Sequence, residues 1–200
     1  MSGNIFVITA PSGTGKTTLL RRLLDEDAGL RFSISYTTRP PRPGEVDGVD
    51  YFFVSPEEFQ RLQAKGAMAE YVEQFGYWYG TAKAWISQTL AAGYDVVFDL
   101  DTRGARAIRD HFPQAVLIFI LPPSLEELER RLRKRGDISA EELNRRLRQG
   151  REEIREVPRY DFLVVNDTFE QALGQLKAIV TACRLRVSQV WRKIASRYLS

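Results

Sequence analysis

Two hundred residues, 44% of them hydrophobic, are enough for one sizeable core, and a charged share of 28% is ordinary for a folded chain, which argues against disorder. A net charge of +3 leaves a mildly basic surface that suits anionic ligands without demanding a nucleic acid. The one cysteine, Cys183, rules out an internal disulfide framework, and neither a signal peptide nor an apolar run near the roughly eighteen residues of a membrane span is evident, so a cytoplasmic chain is expected.

In chain order, Ile5-Phe6-Val7-Ile8-Thr9-Ala10 reads as a buried strand that runs directly into a Gly-rich turn. Thr17 to Asp27 then carries Leu19, Leu20, Leu23 and Leu24 at helical spacing. Phe32 to Tyr79 breaks the rhythm with Pro40, Pro41, Pro43, Gly44 and a concentration of aromatics. It predicts an insert with a small antiparallel sheet and one helix near Pro56 to Lys65. Tyr94 to Leu100 and Ala115 to Leu121 are continuous apolar runs, as expected of strands covered on both faces, and Asp161 to Asn166 predicts another. Helical patterns at Ala105–Asp110, Ser124–Arg135 and Ala140–Glu156 separate them. This order predicts one α/β unit, a doubly wound parallel sheet built from residues 1–31, 82–125 and 160–182. The insert takes 32–81 and an arginine-rich segment 126–159, broken at Gly136; no internal repeat stands out. Residues 183–200, with Leu185, Val187, Val190, Trp191, Ile194 and Tyr198 among basic neighbours, predict a helical tail packing on the core or on another subunit.

The segment Ala10-Pro11-Ser12-Gly13-Thr14-Gly15-Lys16-Thr17 lies between strand and helix, the setting in which such a turn cradles phosphate. Gly13 and Gly15 let backbone N–H groups turn inward, and the helix N-terminus adds partial positive charge. Ser12, Gly13, Thr14, Gly15, Lys16, Thr17 and Thr18 are therefore candidate contacts to a nucleoside triphosphate. In such a loop the lysine reaches the β- and γ-phosphates and the Thr17 hydroxyl is placed to ligate Mg²⁺. Ala10 stands where the strict pattern has glycine. A turn that merely caps a helix is the plainer reading; Gly-Lys-Thr in this setting outweighs it.

The receiving side is written in the insert. Arg39 and Arg42, stiffened by prolines, form a pair suited to bidentate binding of a monoester phosphate, although such a pair in isolation would read as a solvated basic loop. Their context, Ser35-Tyr36-Thr37-Thr38-Arg39-Pro40-x-Arg42-Pro43-Gly44-Glu45-x-x-Gly48-x-Asp50-Tyr51, resembles the nucleotide-binding signature of guanylate kinases. Phe75-Gly76-Tyr77-Trp78-Tyr79-Gly80-Thr81 resembles a second segment of that family, and Ala10-Pro11-Ser12-Gly13-x-Gly15-Lys16 its variant of the phosphate loop. The likeness continues through Asp99-Leu100-Asp101, Arg131-Leu132-x-x-Arg135-Gly136 and Val165-Asn166-Asp167, covering Ile5 to about Val180.

The resemblance implies a P-loop nucleoside-triphosphate hydrolase-like fold and transfer of the γ-phosphate of ATP to GMP, with deoxy-GMP as a further acceptor and Mg²⁺ accompanying ATP. It gives Arg39, Arg42 and Tyr51 to the GMP phosphate, and Ser35, Glu70, Tyr79 and Thr81 to the guanine pocket. A carboxylate such as Glu70 can accept from both guanine N1–H and the exocyclic amino group, a donor pair that adenine lacks. Asp99 and Asp101 end a buried strand at its carboxyl edge; the resemblance implies that this pair lies near the acceptor nucleotide and metal, with either carboxylate orienting the substrate or the metal, Asp99 through a water. Asn166 and Asp167 match the adenine side, with Arg131 also assigned to ATP binding. Most helical arginines from 126 to 159 read as a salt-bridged, solvated face. Arg135 and Arg146 instead match lid arginines that join Lys16, Arg39 and Arg42 in catalysis, although Ile138 and Ala140 depart from the family's acidic residues. Nucleic acid and membrane are not expected partners, and monomer and homo-oligomer stay open. Two other readings compete, a related kinase of a phosphorylated sugar and a kinase-like binding module. The base-pocket residues speak against the first, and the intact phosphate loop against the second.

Overall fold

The computed structural model describes residues 3–74, 76–134 and 139–199. The chain opens with β1 (Ile5–Thr9), α1 (Lys16–Glu26), β2 (Leu30–Phe32), β3 (Tyr36–Thr37), β4 (Phe52–Phe53) and α2 (Pro56–Ala64). It continues through β5 (Met68–Gln74), β6 (Tyr77–Ala82), α3 (Lys83–Ala91), β7 (Asp95–Asp99), α4 (Thr102–His111) and β8 (Val116–Leu121). The last part holds α5 (Leu125–Lys134), α6 (Ala140–Ile154), β9 (Phe162–Val165), α7 (Phe169–Arg184) and α8 (Val187–Ile194).

Five parallel strands form one sheet in the order β2-β7-β1-β8-β9. Its central strand explains why the sequence reads as unbroken apolar runs. Phe6 and Ile8 of β1 pack with Leu19 and Leu23 of α1 and with Leu176 and Val180 of α7. Ile5 and Val7 face the other way, onto Ile86 and Leu90 of α3 and Ala105 and Ile108 of α4. Both faces are thus covered, and alternate residues serve opposite layers. Beyond the four strands expected, β2 adds an edge whose three residues are too short to show a period.

The second sheet has the order β4-β3-β6-β5. It departs from the antiparallel sheet expected for the insert, because β3 and β4 run parallel. Fourteen residues separate Thr37 from Phe52, a connection long enough to bring the chain back alongside β3 in the same direction. Ser55 caps α2 by accepting from Glu58 N, with Pro56 as the first helical residue. The tail forms its helix, but Leu185, Val187, Trp191 and Tyr198 stay exposed, with the Trp191 and Tyr198 rings stacked 6.2 Å apart.

At the amino edge of the large sheet, buried Asp95 accepts from Asn4 Nδ2 at 3.0 Å and from Arg184 Nε at 2.6 Å. Arg184 also donates to Asp27 at 2.7 Å, so one cluster ties β7, α7 and the turn after α1. Removing the carboxylate strands buried donors. Asp95→Ala is expected to lower stability by about 2 kcal/mol or more, a fall in Tm of about 4–8 °C for a chain of this size. Thermal denaturation of the two proteins measures it; an unchanged Tm would show the cluster to be incidental.

Candidate active site

The phosphate loop runs from the end of β1 to the start of α1, over the carboxyl edge of the parallel sheet. Gly13 and Gly15 have φ of 94° and 97°, where other residues are strained, and a Cβ on Gly15 would meet Asn166 Nδ2 at 2.7 Å. The Thr14 carbonyl is pinned by Asn166 Nδ2 at 2.7 Å and Arg131 Nη1 at 3.2 Å. Arg131 Nη2 reaches the Asn166 carbonyl at 3.1 Å, so one guanidinium joins loop and β9 edge. Gly13, Thr18, Arg131, Asn166 and Asp167 border an open cavity of about 400 Å³. Ser12 and Thr17 are exposed, and Thr14 is buried with its hydroxyl unpartnered among the described residues. Lys16 Nζ donates to Asp99 Oδ1, which links the loop to the tip of β7.

On the smaller sheet, Glu70 of β5 stands opposite Thr81 of β6, just after a register shift that re-aims the side chain. Gly80 permits this approach, because a Cβ there would meet the Glu70 carbonyl oxygen at 2.7 Å. Thr81 Oγ1 donates to Glu70 Oε1 at 2.8 Å, and the Ser33 and Ser35 hydroxyls lie 3.2 and 3.3 Å from the same Thr81 oxygen. Glu70 is only 7% exposed. Burial pushes its carboxyl above the ordinary glutamate range, Thr81 pulls the other way, and the charge of Asp101 pushes it further up.

The arginine pair is organised by a residue that the sequence reading passed over. Buried Arg39 donates through Nη2 to both Glu45 oxygens, at 2.7 and 2.9 Å, and the same carboxylate accepts from Arg42 N at 2.7 Å. The Arg39 hydrogen bond holds Glu45 below the usual carboxylate range. The Arg39 guanidinium sits 5.5 Å from the Tyr51 ring centre, and Tyr51 packs edge-on to Tyr79 at 6.0 Å. Arg42 points its side chain into solvent. Asp101 caps α4, accepting from Gly104 N at 2.8 Å. Ser33, Ser35, Asp50, Tyr51 and Asp99 border a cavity of about 130 Å³, so the small sheet and the β7 tip share one cleft.

The sequence matches the Guanylate kinase family model over residues 2–183. The guanylate kinase of Neisseria gonorrhoeae is 53% identical over 187 residues, covering 94% of this chain and 91% of that protein. The chain belongs to the guanylate kinase family. The guanylate kinase of Hahella chejuensis is 51% identical, over 93% of this chain and 89% of its own length. In three dimensions the chain is similar to the crystal structure of guanylate kinase from Anaplasma phagocytophilum, with a TM-score of 0.72, 30% identity and coverage of 98% and 96%. No helix among the described residues is long and apolar enough to cross a membrane.

Of the lid arginines expected in a guanylate kinase, Arg146 lies on α6, its Nε held by Glu142 at 2.7 Å. Arg135 and Gly136, like Ile138, lie outside the described residues. The foot of α6 reaches the phosphate loop, since a Cβ on Gly150 would stand 3.4 Å from Pro11 Cβ. The segment also holds a repeat that the sequence reading missed. Ser124-Leu-Glu-Glu-Leu-Glu-Arg-Arg-Leu-Arg133 recurs fifteen residues on as Ser139-Ala-Glu-Glu-Leu-Asn-Arg-Arg-Leu-Arg148. Each serine accepts from the N–H three residues ahead at 3.1 Å, and Leu128, Leu132, Leu143 and Leu147 pack together.

A buried glutamate that meets no cation among the described residues carries a cost in the empty protein. The unfolded chain ionises near the ordinary value of 4.5, the folded chain only at higher pH, so stability falls as pH rises from the first value through the second. Glu70→Gln keeps the acceptor for Thr81 and removes that cost. Its ligand-free Tm is expected to exceed the parent's by about 2–4 °C at about pH 8, with the gain shrinking towards pH 4. Parallel melts across pH measure this; a gain that grew in acid would contradict it.

Proposed function

We propose that ATP binds on the loop from Ser12 to Thr18, that GMP binds over the smaller sheet, and that the two phosphates meet above the β7 tip. The reaction is ATP-dependent phosphorylation of GMP to GDP. An oxygen of the GMP phosphate attacks the γ-phosphorus of ATP, the bond to the β–γ bridging oxygen breaks, and ADP leaves. Little proton chemistry is required, so positioning and charge do the catalysis. The observation that carries this reading is Glu70: a carboxylate 7% exposed, bonded to Thr81, whose neighbours Ser33 and Ser35 border a cavity with Asp99, the residue that holds Lys16 of the phosphate loop. Guanine offers two adjacent donors to such an acceptor, a pair that adenine lacks, and the Glu70, Tyr79 and Thr81 set suits a base better than a sugar phosphate.

In this reading Lys16 exchanges Asp99 for the β- and γ-phosphates, and Arg39, Arg42 and Tyr51 hold the acceptor phosphate. Ser35, Tyr79 and Thr81 complete the base pocket, with Ser35 or Thr81 donating to guanine O6. Asp99 and Asp101 orient the acceptor or the water around a metal. Arg131, Asn166 and Asp167 border the adenine side, and Arg135 and Arg146 come to the transferring group when the lid closes. Arg131 and Asn166 already hold the loop itself, which supports a positioning share in that role. Among the described residues no group of three or more His, Cys, Asp or Glu could hold a metal ion. That fits Mg²⁺ carried in by ATP, which keeps waters and needs only one or two protein oxygens, here Thr17 and, through water, Asp99. When bound, Mg²⁺ neutralises part of the phosphate charge.

Two measurements test the reading. Lys16→Met is expected to lower kcat about a hundredfold or more, about 3 kcal/mol, with the fold kept; near-normal turnover of GMP would remove Lys16 from the chemistry. Glu70→Gln replaces one acceptor oxygen with a donor that faces the guanine donors. Its kcat/KM for GMP is expected to fall at least tenfold, about 1.4 kcal/mol, with KM for ATP little changed. ADP release with GMP, deoxy-GMP, AMP and sugar monophosphates reads both. A parent enzyme preferring AMP would reopen the acceptor assignment.

A further inference from the structure

The repeated segment of α5 and α6 uses one side-chain arrangement twice. In α5, Glu127 takes two bonds from Arg130, at 2.6 and 2.7 Å, and accepts Arg131 Nε at 2.6 Å. In α6, Glu142 takes two bonds from Arg145, at 2.6 and 2.8 Å, and accepts Arg146 Nε at 2.7 Å. The second arginine of each pair is therefore gripped by Nε alone, which fixes the plane of its guanidinium and leaves the outer Nη1–Nη2 edge for another acceptor. In α5 that edge is docked on the Thr14 and Asn166 carbonyls. In α6 the same edge meets no protein acceptor among the described residues, and Arg146 sits one turn before Gly150, the point where α6 touches Pro11 of the phosphate loop.

We propose that Glu142 is the positioning residue of Arg146, holding its guanidinium so that the outer edge faces a phosphate oxygen of the nucleotide as the lid closes. The inference rests on the assignment of Arg146 to the transferring phosphate made above, and deepens it. An exposed ion pair one helical turn apart adds little stability, so the arrangement acts through geometry. A long arginine side chain otherwise loses several rotamers when it meets its target, and a carboxylate that restricts it beforehand lowers that cost. Glu142 stays ionised throughout the working pH range, because Arg145 and Arg146 hold its carboxyl down to about 2. Arg145, bonded through two nitrogens, steadies the carboxylate while Arg146 uses one corner of it. Ala140 and Glu141 open the same helix without touching Arg146, which makes Glu141 a fair control for the first-turn charge.

Steady-state kinetics with Mg-ATP and GMP on Glu142→Ala, Glu142→Gln, Glu141→Ala, Arg146→Ala and the Glu142→Ala/Arg146→Ala double variant decide the matter, with circular dichroism confirming helix content. Arg146→Ala is expected to lower kcat about a hundredfold. Glu142→Ala is expected to lower kcat about tenfold with KM for GMP unchanged. Glu142→Gln, whose amide oxygen still accepts from Nε, should fall between it and the parent, and Glu141→Ala should match the parent. In the double variant Glu142→Ala should add nothing, since its effect runs through Arg146. Loss of activity in Glu141→Ala equal to that in Glu142→Ala, an undiminished factor in the double variant, or normal or raised kcat in Glu142→Ala beside a crippled Arg146→Ala would each overturn the positioning role alone. Normal kcat in Arg146→Ala would instead bring down the assignment on which it rests.

Discussion

A cleft that receives a triphosphate beside a monophosphate must gather cations at separations where, without ligand, they repel one another. This chain answers by giving four of these cations a carboxylate, while the Arg42 side chain stays in solvent. Lys16 is held by Asp99, Arg39 by Glu45, Arg131 by Glu127 and Arg146 by Glu142. These pairs are mostly near the surface, where ion pairs contribute little to stability. Their effect is on position: each cation waits in a defined place, close to a neutral balance, and the incoming phosphate takes over or shares an arrangement that already exists. Arg131 is further committed, its outer edge already used by the Thr14 and Asn166 carbonyls, and Arg39 also donates to the Pro40 carbonyl at 2.7 Å. The same helix-borne unit thus serves a fixed purpose on α5, and on α6 leaves an edge that meets no acceptor among the described residues.

Backbone contacts supply the fixed frame against which those side chains move. Gly15 and Asn166 approach so closely that a methyl group would not fit, and the Asn166 amide pins the loop from the β9 edge. Gly80 does the equivalent in the smaller sheet, bringing β6 near enough for Thr81 to bond Glu70. In both places a glycine turns absent volume into a set distance. The frame is therefore specified by what the sequence leaves out as much as by its polar groups.

This explains which parts could be read from residues alone. Strands β1, β7 and β8 announce themselves because both faces are covered, β9 as a short apolar run although Leu163 and Val165 stay exposed, and α6 because its leucines recur at helical spacing. The two-residue strands β3 and β4 carry no period at all, and their parallel pairing depends on the path of the connecting loop. Helix α3 lacks a capping side chain at Ala82 and passed without notice. In the site, the phosphate loop and the Arg39–Arg42 pair were legible as local patterns, and Glu70 only through the family likeness. Glu45 stood inside a quoted motif with no role, since its bond to Arg39 spans six residues of irregular chain. Arg146 stood out only through the family likeness, and Glu142 looked like part of any solvated face; the repeat of Ser124–Arg133 at Ser139–Arg148 was the signal that could have singled Glu142 out.

Glu70 follows the opposite electrostatic rule from Glu45 and Glu142, the arginine-paired glutamates. Its bonds are to Thr81, and the charge it feels is the negative one of Asp101, so burial raises its pKa where the arginine-paired glutamates have theirs lowered. The difference follows from what each must recognise. Phosphates carry formal charge and bind to cations that can be partly solvated, because the attraction survives some water. Guanine is neutral and differs from adenine only in where its donors and acceptors lie, so discrimination requires that water be unable to replace the missing bond. A desolvated carboxylate meets that requirement because any base that fails to satisfy it leaves it stranded. Placing such a group on a sheet separate from the phosphate loop, bonded to Thr81 and to no arginine among the described residues, keeps the arginines from neutralising it before the base arrives.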